Sequence, residues 1–215
     1  MAKSSTKNAG LNLNNIVKIL FTSLLVLTCA GSRGHKVAKP LIIEKEQWGG
    51  QEHFGDMPEQ IISKITIHHG GVDVAEEKDS YEYMRNLQRF SMNQKKWIDI
   101  PYHFCIDLQG NIFEARPIKF PGDTNTEYNP DGHALICVIG NYENQKIKPQ
   151  QLEAVIKLSA WLAAEYRLGP QSISGHKDLS SMTVCPGEDL YKYIQDGTIQ
   201  DRVSEILKQG QTQSN

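Results

Sequence analysis

Three side chains that favour soft metal ions stand at the ends of predicted segments of this chain. His68 follows an apolar run, His176 lies in the sequence Ser-Gly-His-Lys-Asp, and Cys185 lies in the sequence Thr-Val-Cys-Pro-Gly. Two imidazoles and a thiolate suit Zn²⁺, and three protein ligands leave the fourth tetrahedral position to water, as in catalytic sites. Zinc-bound water loses a proton near neutral pH and can attack a carbonyl group. Spacing alone does not bring these ligands together, because more than 100 residues separate His68 from His176.

The elements that must position these side chains alternate between strands and helices. Residues 61–67 are rich in β-branched side chains, which predicts a buried strand that ends at His68 and His69. The other predicted strands cover residues 100–106, 112–115 and 134–139. The predicted helices cover residues 79–94, the stretch from Pro149 to the Gly169-Pro170 stop, and parts of residues 188–207. Helices inserted between strands predict an α/β fold, a three-layer domain with a central mixed β-sheet flanked by helices.

The first 31 residues have the composition of an export signal. Lys3, Lys7 and Lys18 precede an apolar run of residues 19–27, and no acidic residue occurs before residue 32. The apolar run is too short to span a bilayer comfortably as a permanent helix. Residues 1–31 are therefore predicted to direct export, to a periplasm or to the exterior of the cell.

Processing of this signal has three alternatives. The small residues of Thr28-Cys29-Ala30 suit an ordinary signal-peptidase cut. Cys29 could instead carry the lipid of a bacterial lipoprotein, although Leu27 and Thr28 stand where small residues usually precede such a cysteine. An uncleaved N-terminal anchor is the third alternative. The sequence leaves open whether the protein is free or anchored to a membrane by lipid.

The rest of the chain is predicted to be one domain with an acidic balance. Residues 32–40 have the composition of a linker, residues 41–208 that of a single globular domain, and residues 209–215 that of a flexible polar tail. Without residues 1–31 the chain keeps 20 basic and 25 acidic residues, a formal charge of −5. This balance, with no cluster of Lys and Arg, argues against nucleic acid as a partner. A monomer is the default expectation.

Two cysteines, Cys105 and Cys137, lie in apolar segments that are predicted to be strands. In an oxidising compartment they could form a disulfide. The favoured alternative is that both are buried free thiols, which pack like small hydrophobic side chains.

Short motifs of this chain occur in the order typical of one enzyme family. They are Glu46 to Gly49, Ile67-His68-His69, Trp97 to Phe104, Gly132-His133-Ala134, Ile139 to Tyr142, Gly175-His176 and Thr183 to Gly187. In this order they resemble the type 2 N-acetylmuramoyl-L-alanine amidases, a family that includes phage amidases and the animal peptidoglycan recognition proteins. The resemblance covers about residues 41–195.

The resemblance implies roles for five residues. His68, His176 and Cys185 match the ligands of one catalytic Zn²⁺, where the first ligand directly follows the apolar strand. Tyr102 matches the family's catalytic tyrosine, whose phenol can hydrogen-bond the attacking water or the developing oxyanion. Thr183 matches a position that helps to hold the tetrahedral intermediate.

The resemblance also implies a substrate and an alternative function. The expected activity is hydrolysis of the amide bond between N-acetylmuramic acid and L-alanine in peptidoglycan or its fragments. His69 and His133 are predicted to line the substrate groove or to contact and orient a metal ligand, with a structural role as the alternative. The alternative function is a non-catalytic module that binds peptidoglycan or muropeptides. Members that do not cut have usually lost a zinc ligand, so the complete ligand set favours the enzyme.

Overall fold

The computed structural model describes residues 37–212. The predicted export signal, with Cys29 and its alternatives for processing, lies outside the described residues, as do the first part of the predicted linker and residues 213–215. Among the helices of residues 37–212, none combines the length and the apolar character that a membrane span requires.

The centre of the domain is a mixed sheet of six strands. They are β1 (Ile42–Ile43), β2 (Lys64–His69), β3 (Phe104–Ile106), β4 (Ile112–Glu114), β5 (His133–Val138) and β6 (Ile173–Gly175). Their spatial order is β1-β4-β3-β5-β2-β6. Strands β3 and β4 are antiparallel, whereas the other neighbouring pairs run parallel. Both edges of the sheet are therefore short strands, of two and three residues.

Helices cover both faces of this sheet. They are α1 (Ser80–Asn93), α2 (Pro149–Glu165), α3 (Glu188–Gln195) and α4 (Thr198–Thr212). On one face, Met84 of α1 packs in a buried cluster with Trp48 and Phe113. On the other face, α2, α3 and α4 bury Leu162, Leu190 and other apolar side chains against the strands. This arrangement confirms the predicted three-layer α/β fold with a central mixed sheet.

The alternation of side chains along the central strands determines which residues reach each layer. Ile65 and Ile67 of β2 are fully buried in the cluster that contains α2. Burial of one such side chain contributes about 1.5–3 kcal/mol. Thr66 and His68 lie on the opposite face, because successive side chains of a strand point to opposite sides. The face of β2 that carries His68 is therefore the face covered by α1.

Cys105 and Cys137 are neighbours on this same face. They are directly in register on β3 and β5, are fully buried, and are free cysteines in the structure. The structure therefore has two buried free thiols at these positions and no disulfide between them. Both cysteines belong to the buried cluster under α1, and Cys137 lies beside His68, with which it is in register.

The structure corrects three of the predicted boundaries. Strand β3 begins only at Phe104, four residues later than predicted, because the carbonyl oxygen of Ile100 is bound by the side chain of Arg116 instead of by a neighbouring strand. The single helix predicted within residues 188–207 is two helices, α3 and α4. They are separated at Gly197, whose φ of 82° is a left-handed conformation that ends a helix. Helix α4 continues to Thr212, into the segment predicted to be a flexible tail.

A buried arginine fixes two loops that border the site described below. Arg116 is 1% exposed, and its Nε donates to the carbonyl oxygen of Ile100 at 2.9 Å. Its two Nη atoms donate to the carbonyl oxygens of Asp99 and Pro121, and one of them also contacts the carboxylate of Asp123. The guanidinium therefore joins the segment before β3 to the loop that begins at residue 121.

We expect Arg116→Met to lower the free energy of unfolding by about 3 kcal/mol. The substitution leaves buried carbonyl groups without their donor and a carboxylate without its cation, and such losses are costly. Urea denaturation measures the effect. The matched control is Lys119→Met, which removes an exposed ion pair of 3.0 Å with Glu59 and should cost no more than about 0.5 kcal/mol. Equal losses in both variants would contradict the assigned role of Arg116.

Candidate metal centre

The side chains of His68, His176 and Cys185 converge at one point of the structure. One ligand atom from each side chain lies within 4.8 Å of the other two. The Nδ1 atom of His68 is 3.7 Å from the Sγ atom of Cys185, and the ring centroids of the two histidines are 4.6 Å apart. All three residues are buried, with exposures of 2% to 7%. The fold therefore brings together three side chains that are far apart in the sequence.

The parallel pairing of β2 and β6 brings the two histidines together. Ile67 is in register with Gly175, so His68 and His176 follow at neighbouring carboxyl ends of the two strands. A turn of 3₁₀ helix, His176–Asp178, begins directly after β6. The carboxyl ends of neighbouring parallel strands are the usual place for a functional site in α/β sheets.

Backbone hydrogen bonds hold Cys185 beside the two histidines. The N–H of Lys177 donates to the carbonyl oxygen of Cys185 at 2.7 Å. The N–H of His69 donates to the Sγ atom of Cys185, with an N···S distance of 3.4 Å. The peptide bond between Cys185 and Pro186 is cis. The loop of Cys185 is therefore fixed against both β2 and the turn after β6.

The electrostatics of the cluster suit a bound cation. Burial, and then the neighbouring His176, lower the pKa of His68 well below its ordinary value. Burial also lowers the pKa of His176, so both rings are neutral near pH 7 and keep a lone pair for a metal. Burial raises the pKa of the Cys185 thiol to about 12, against the opposing effect of the His69 N–H. A bound divalent cation favours the thiolate, and the donor set N, N and S therefore fits Zn²⁺.

The cluster lies at the base of an open cleft of about 430 Å³. Tyr102 lines this cleft, with its ring centroid 5.1 Å from that of His68. Burial raises the pKa of the Tyr102 phenol well above its ordinary value, so the hydroxyl keeps its proton. Thr183 lines the cleft as well, and its Oγ1 accepts a hydrogen bond of 3.1 Å from the N–H of Cys185. The structure thus brings Tyr102 and Thr183 together with the three candidate ligands.

Comparison with known proteins identifies the family. The model of the family described as Amidase_2, N-acetylmuramoyl-L-alanine amidase, matches residues 58–188, more than half of the chain. The chain belongs to this family.

Peptidoglycan recognition proteins are among the relatives of this amidase-family chain. Peptidoglycan-recognition protein SD of Drosophila simulans is 31% identical over 167 residues, which cover 72% of this chain and 84% of that protein. The crystal structure of Drosophila PGRP-SD gives a TM-score of 0.66 at 29% identity, covering 73% of this chain and 94% of that one. Human PGRP-IBETAC, solved in complex with glycosamyl muramyl pentapeptide, gives a TM-score of 0.62 at 25% identity, covering 73% and 96%.

The other two predicted site histidines of this amidase-family chain have different positions. His69 is among the residues that line the cleft, and its Nδ1 accepts a hydrogen bond of 3.3 Å from the N–H of Tyr142. His133, at the beginning of β5, is not among the described residues that line the cleft. Its Nδ1 lies 2.8 Å from the hydroxyl of Thr66. The fold therefore brings the backbone of His69 to the three candidate ligands and places His133 farther along the sheet.

Sequence reasoning missed two residues that contact the candidate ligands. The hydroxyl of Thr126 is 2.8 Å from Nε2 of His176, and the hydroxyl of Tyr128 is 3.3 Å from Nε2 of His68. Neither residue lies in one of the motifs that resemble the amidase family. Their position depends on how the loop after Arg116 packs against the two histidines, which no local pattern indicates.

Proposed function

We propose that the protein is a zinc-dependent amidase that hydrolyses the bond between N-acetylmuramic acid and L-alanine in peptidoglycan or its fragments. One observation carries this proposal: three ligand atoms of His68, His176 and Cys185 lie within 4.8 Å of one another at the base of an open cleft. A structural zinc site is closed by a fourth side chain, whereas a three-ligand site in a cleft leaves a position for water. Membership of the amidase family supports the same reaction.

In the proposed site, His68, His176 and Cys185 would hold the metal. Zinc bound there would act as a Lewis acid and lower the pKa of a bound water. The phenol of Tyr102 stays protonated and can donate a hydrogen bond to the oxygen on which negative charge develops. Thr183 accepts from the N–H of Cys185 through its oxygen, so its own proton can be donated toward the cleft. Both hydroxyls thus favour a charged tetrahedral state over the ground state.

The walls of the cleft suit a substrate with a sugar and a short peptide. Apolar and aromatic side chains of α1 and the loop after it form one wall, and polar side chains of residues 123–126 form the other. One relative was solved in complex with glycosamyl muramyl pentapeptide. We propose muropeptides or peptidoglycan as the ligand, with His69, which lines the cleft, as a candidate contact. We further propose that residues 1–31 export the protein to a compartment where it meets the cell wall.

A second candidate function is recognition of peptidoglycan without cleavage. The relatives named above support it, because each is named a peptidoglycan recognition protein. The complete set of two histidines, one cysteine and Tyr102 favours the enzyme over this alternative. A protein that only binds its ligand has no need of three buried metal-binding side chains in the base of the binding cleft.

Chelation of the metal separates the two functions. We expect the zinc-loaded protein to release stem peptides that begin with L-alanine from purified peptidoglycan, as identified by mass spectrometry. A zinc chelator should abolish this release, and added zinc should restore it. A control digest with heat-denatured protein excludes spontaneous release. If the zinc-loaded protein sediments with peptidoglycan but releases no peptide, the recognition function replaces the amidase.

A further inference from the structure

A segment of five residues lies beside the candidate metal ligands, and its first three residues line the cleft. This bridging segment, Thr124–Tyr128, contacts both histidines through hydroxyl groups. Oγ1 of Thr126 lies 2.8 Å from Nε2 of His176, and the phenol oxygen of Tyr128 lies 3.3 Å from Nε2 of His68. The ring centroid of Tyr128 is 4.9 Å from that of His176. One short segment thus contacts two candidate ligands that come from distant parts of the sequence.

The geometry assigns the two nitrogens of His68 to different partners. Nδ1 is 3.7 Å from Sγ of Cys185, whereas Nε2 faces the hydroxyl of Tyr128. Two atoms bound to one tetrahedral zinc at ordinary N and S bond lengths are about 3.5 Å apart. Nδ1 is therefore the nitrogen that faces the metal position. In the neutral ring with a free lone pair on Nδ1, the proton is on Nε2, and this N–H can donate to the hydroxyl oxygen.

Two other loops hold the bridging segment. Nζ of Lys95, after α1, donates to Oδ1 of Asn125 at 3.1 Å. The hydroxyl of Ser180, in the loop before Cys185, donates to the carboxylate of Glu127 at 2.6 Å. Residues 125 and 127 therefore bind these two loops, while residues 126 and 128 contact the histidines. This alternation holds the two hydroxyls in place rather than leaving them on a free loop.

We propose that Thr126 and Tyr128 are positioning residues of the metal centre. Each hydroxyl binds Nε2 of one histidine ligand and so fixes the direction of its ring, and at His68 this leaves Nδ1 to face the metal. Such partners of metal-bound histidines raise metal affinity, and their loss typically costs about 10- to 100-fold. This proposal rests on zinc at the proposed active site. It adds that the bridging segment, and not only the ligand set, determines how tightly zinc is held.

Zinc dissociation constants of single variants test this proposal. We expect Thr126→Val and Tyr128→Phe each to weaken zinc binding by about 10-fold or more, measured by competition with a chromogenic chelator. Thr126→Ser keeps the hydroxyl and should restore the affinity. Thr198→Val and Tyr193→Phe, on α4 and α3, are the matched controls and should bind zinc as the unaltered protein does. Thermal unfolding of the zinc-free proteins checks that the variants fold equally well.

The visible spectrum of bound Co²⁺ distinguishes a positioning role of Thr126 and Tyr128 from a purely structural one. A change in ring direction alters the ligand field, so Thr126→Val should shift the visible absorption bands of bound Co²⁺ while Thr198→Val should not. Unchanged zinc affinities and Co²⁺ spectra in Thr126→Val and Tyr128→Phe would overturn the proposal. Absence of zinc binding by the unaltered protein would overturn the proposed function as well. The unaltered protein could bind zinc tightly and release no stem peptide, while Thr126→Val and Tyr128→Phe bind zinc more weakly. This result would support the inference and reject the amidase.

Discussion

Cys185→Ser is expected to remove the zinc-dependent release of stem peptides almost completely. A hydroxyl is a poor ligand for zinc compared with a thiolate, and the other two ligands cannot hold the ion tightly alone. If the metal supplies about 4 kcal/mol of transition-state stabilisation, its loss lowers the rate about 1000-fold. The measurement pairs the rate of L-alanine-terminated peptide release with the zinc content of the purified variant. Both should fall together.

Cys105→Ala is the matched control for this variant. Cys105 is a buried free thiol on β3, in the apolar cluster that also contains Cys137, and is not one of the converging ligands. The control should keep its zinc and its activity, with a modest loss of stability from the lost sulfur. A Cys185→Ser protein that keeps both full activity and stoichiometric zinc would exclude Cys185 as a ligand.

Tyr102→Phe is expected to lower kcat by about 100- to 1000-fold while zinc affinity stays unchanged. The change removes one donor to the developing oxyanion, and losses of this size are typical for such donors. The ring remains, so its packing 5.1 Å from the His68 ring is kept. Because the hydroxyl acts mainly in the transition state, KM should change little. Steady-state kinetics on a defined muropeptide, together with zinc titration, measure both parts.

Tyr193→Phe, a tyrosine on α3 remote from the cleft, controls for the general effect of removing a phenol. It should retain the kinetics of the unaltered protein. A fall in zinc affinity parallel to the fall in kcat of Tyr102→Phe would assign the tyrosine to the metal centre rather than to the oxyanion. An unchanged kcat would remove Tyr102 from the mechanism.

The regular elements of this fold could be predicted where a local pattern determines them. Helix α2 begins at Pro149 as predicted, because its periodic apolar face and an N-terminal proline are local signals. The division between α3 and α4 was missed, since one glycine at residue 197 interrupts an otherwise continuous periodic pattern. Strand β3 was predicted four residues too long, because the apolar segment before it is held by the guanidinium of Arg116 rather than by strand pairing alone.

The candidate site depends on contacts that no local pattern determines. The meeting of His68 with His176 follows from the pairing of β2 with β6, whose residues are more than 100 positions apart. Only the family resemblance pointed to it before the structure did. Thr126 and Tyr128 were not predicted, because their contacts depend on the path of a loop that lies outside the family motifs. The role given to His69 and His133 stays a prediction, to be tested on the substrate.

The lengths of the edge strands have a consequence for the behaviour of the protein at high concentration. Sheets aggregate when an unpaired edge accepts a strand from another molecule, and a long flat edge is the best template for this. In this sheet the buried apolar strands β2 and β5, six residues each, are both interior. The edges are β1 and β6, of two and three residues. Each edge therefore offers an incoming strand very few backbone partners, and growth of intermolecular β-structure from the native state has almost no starting point.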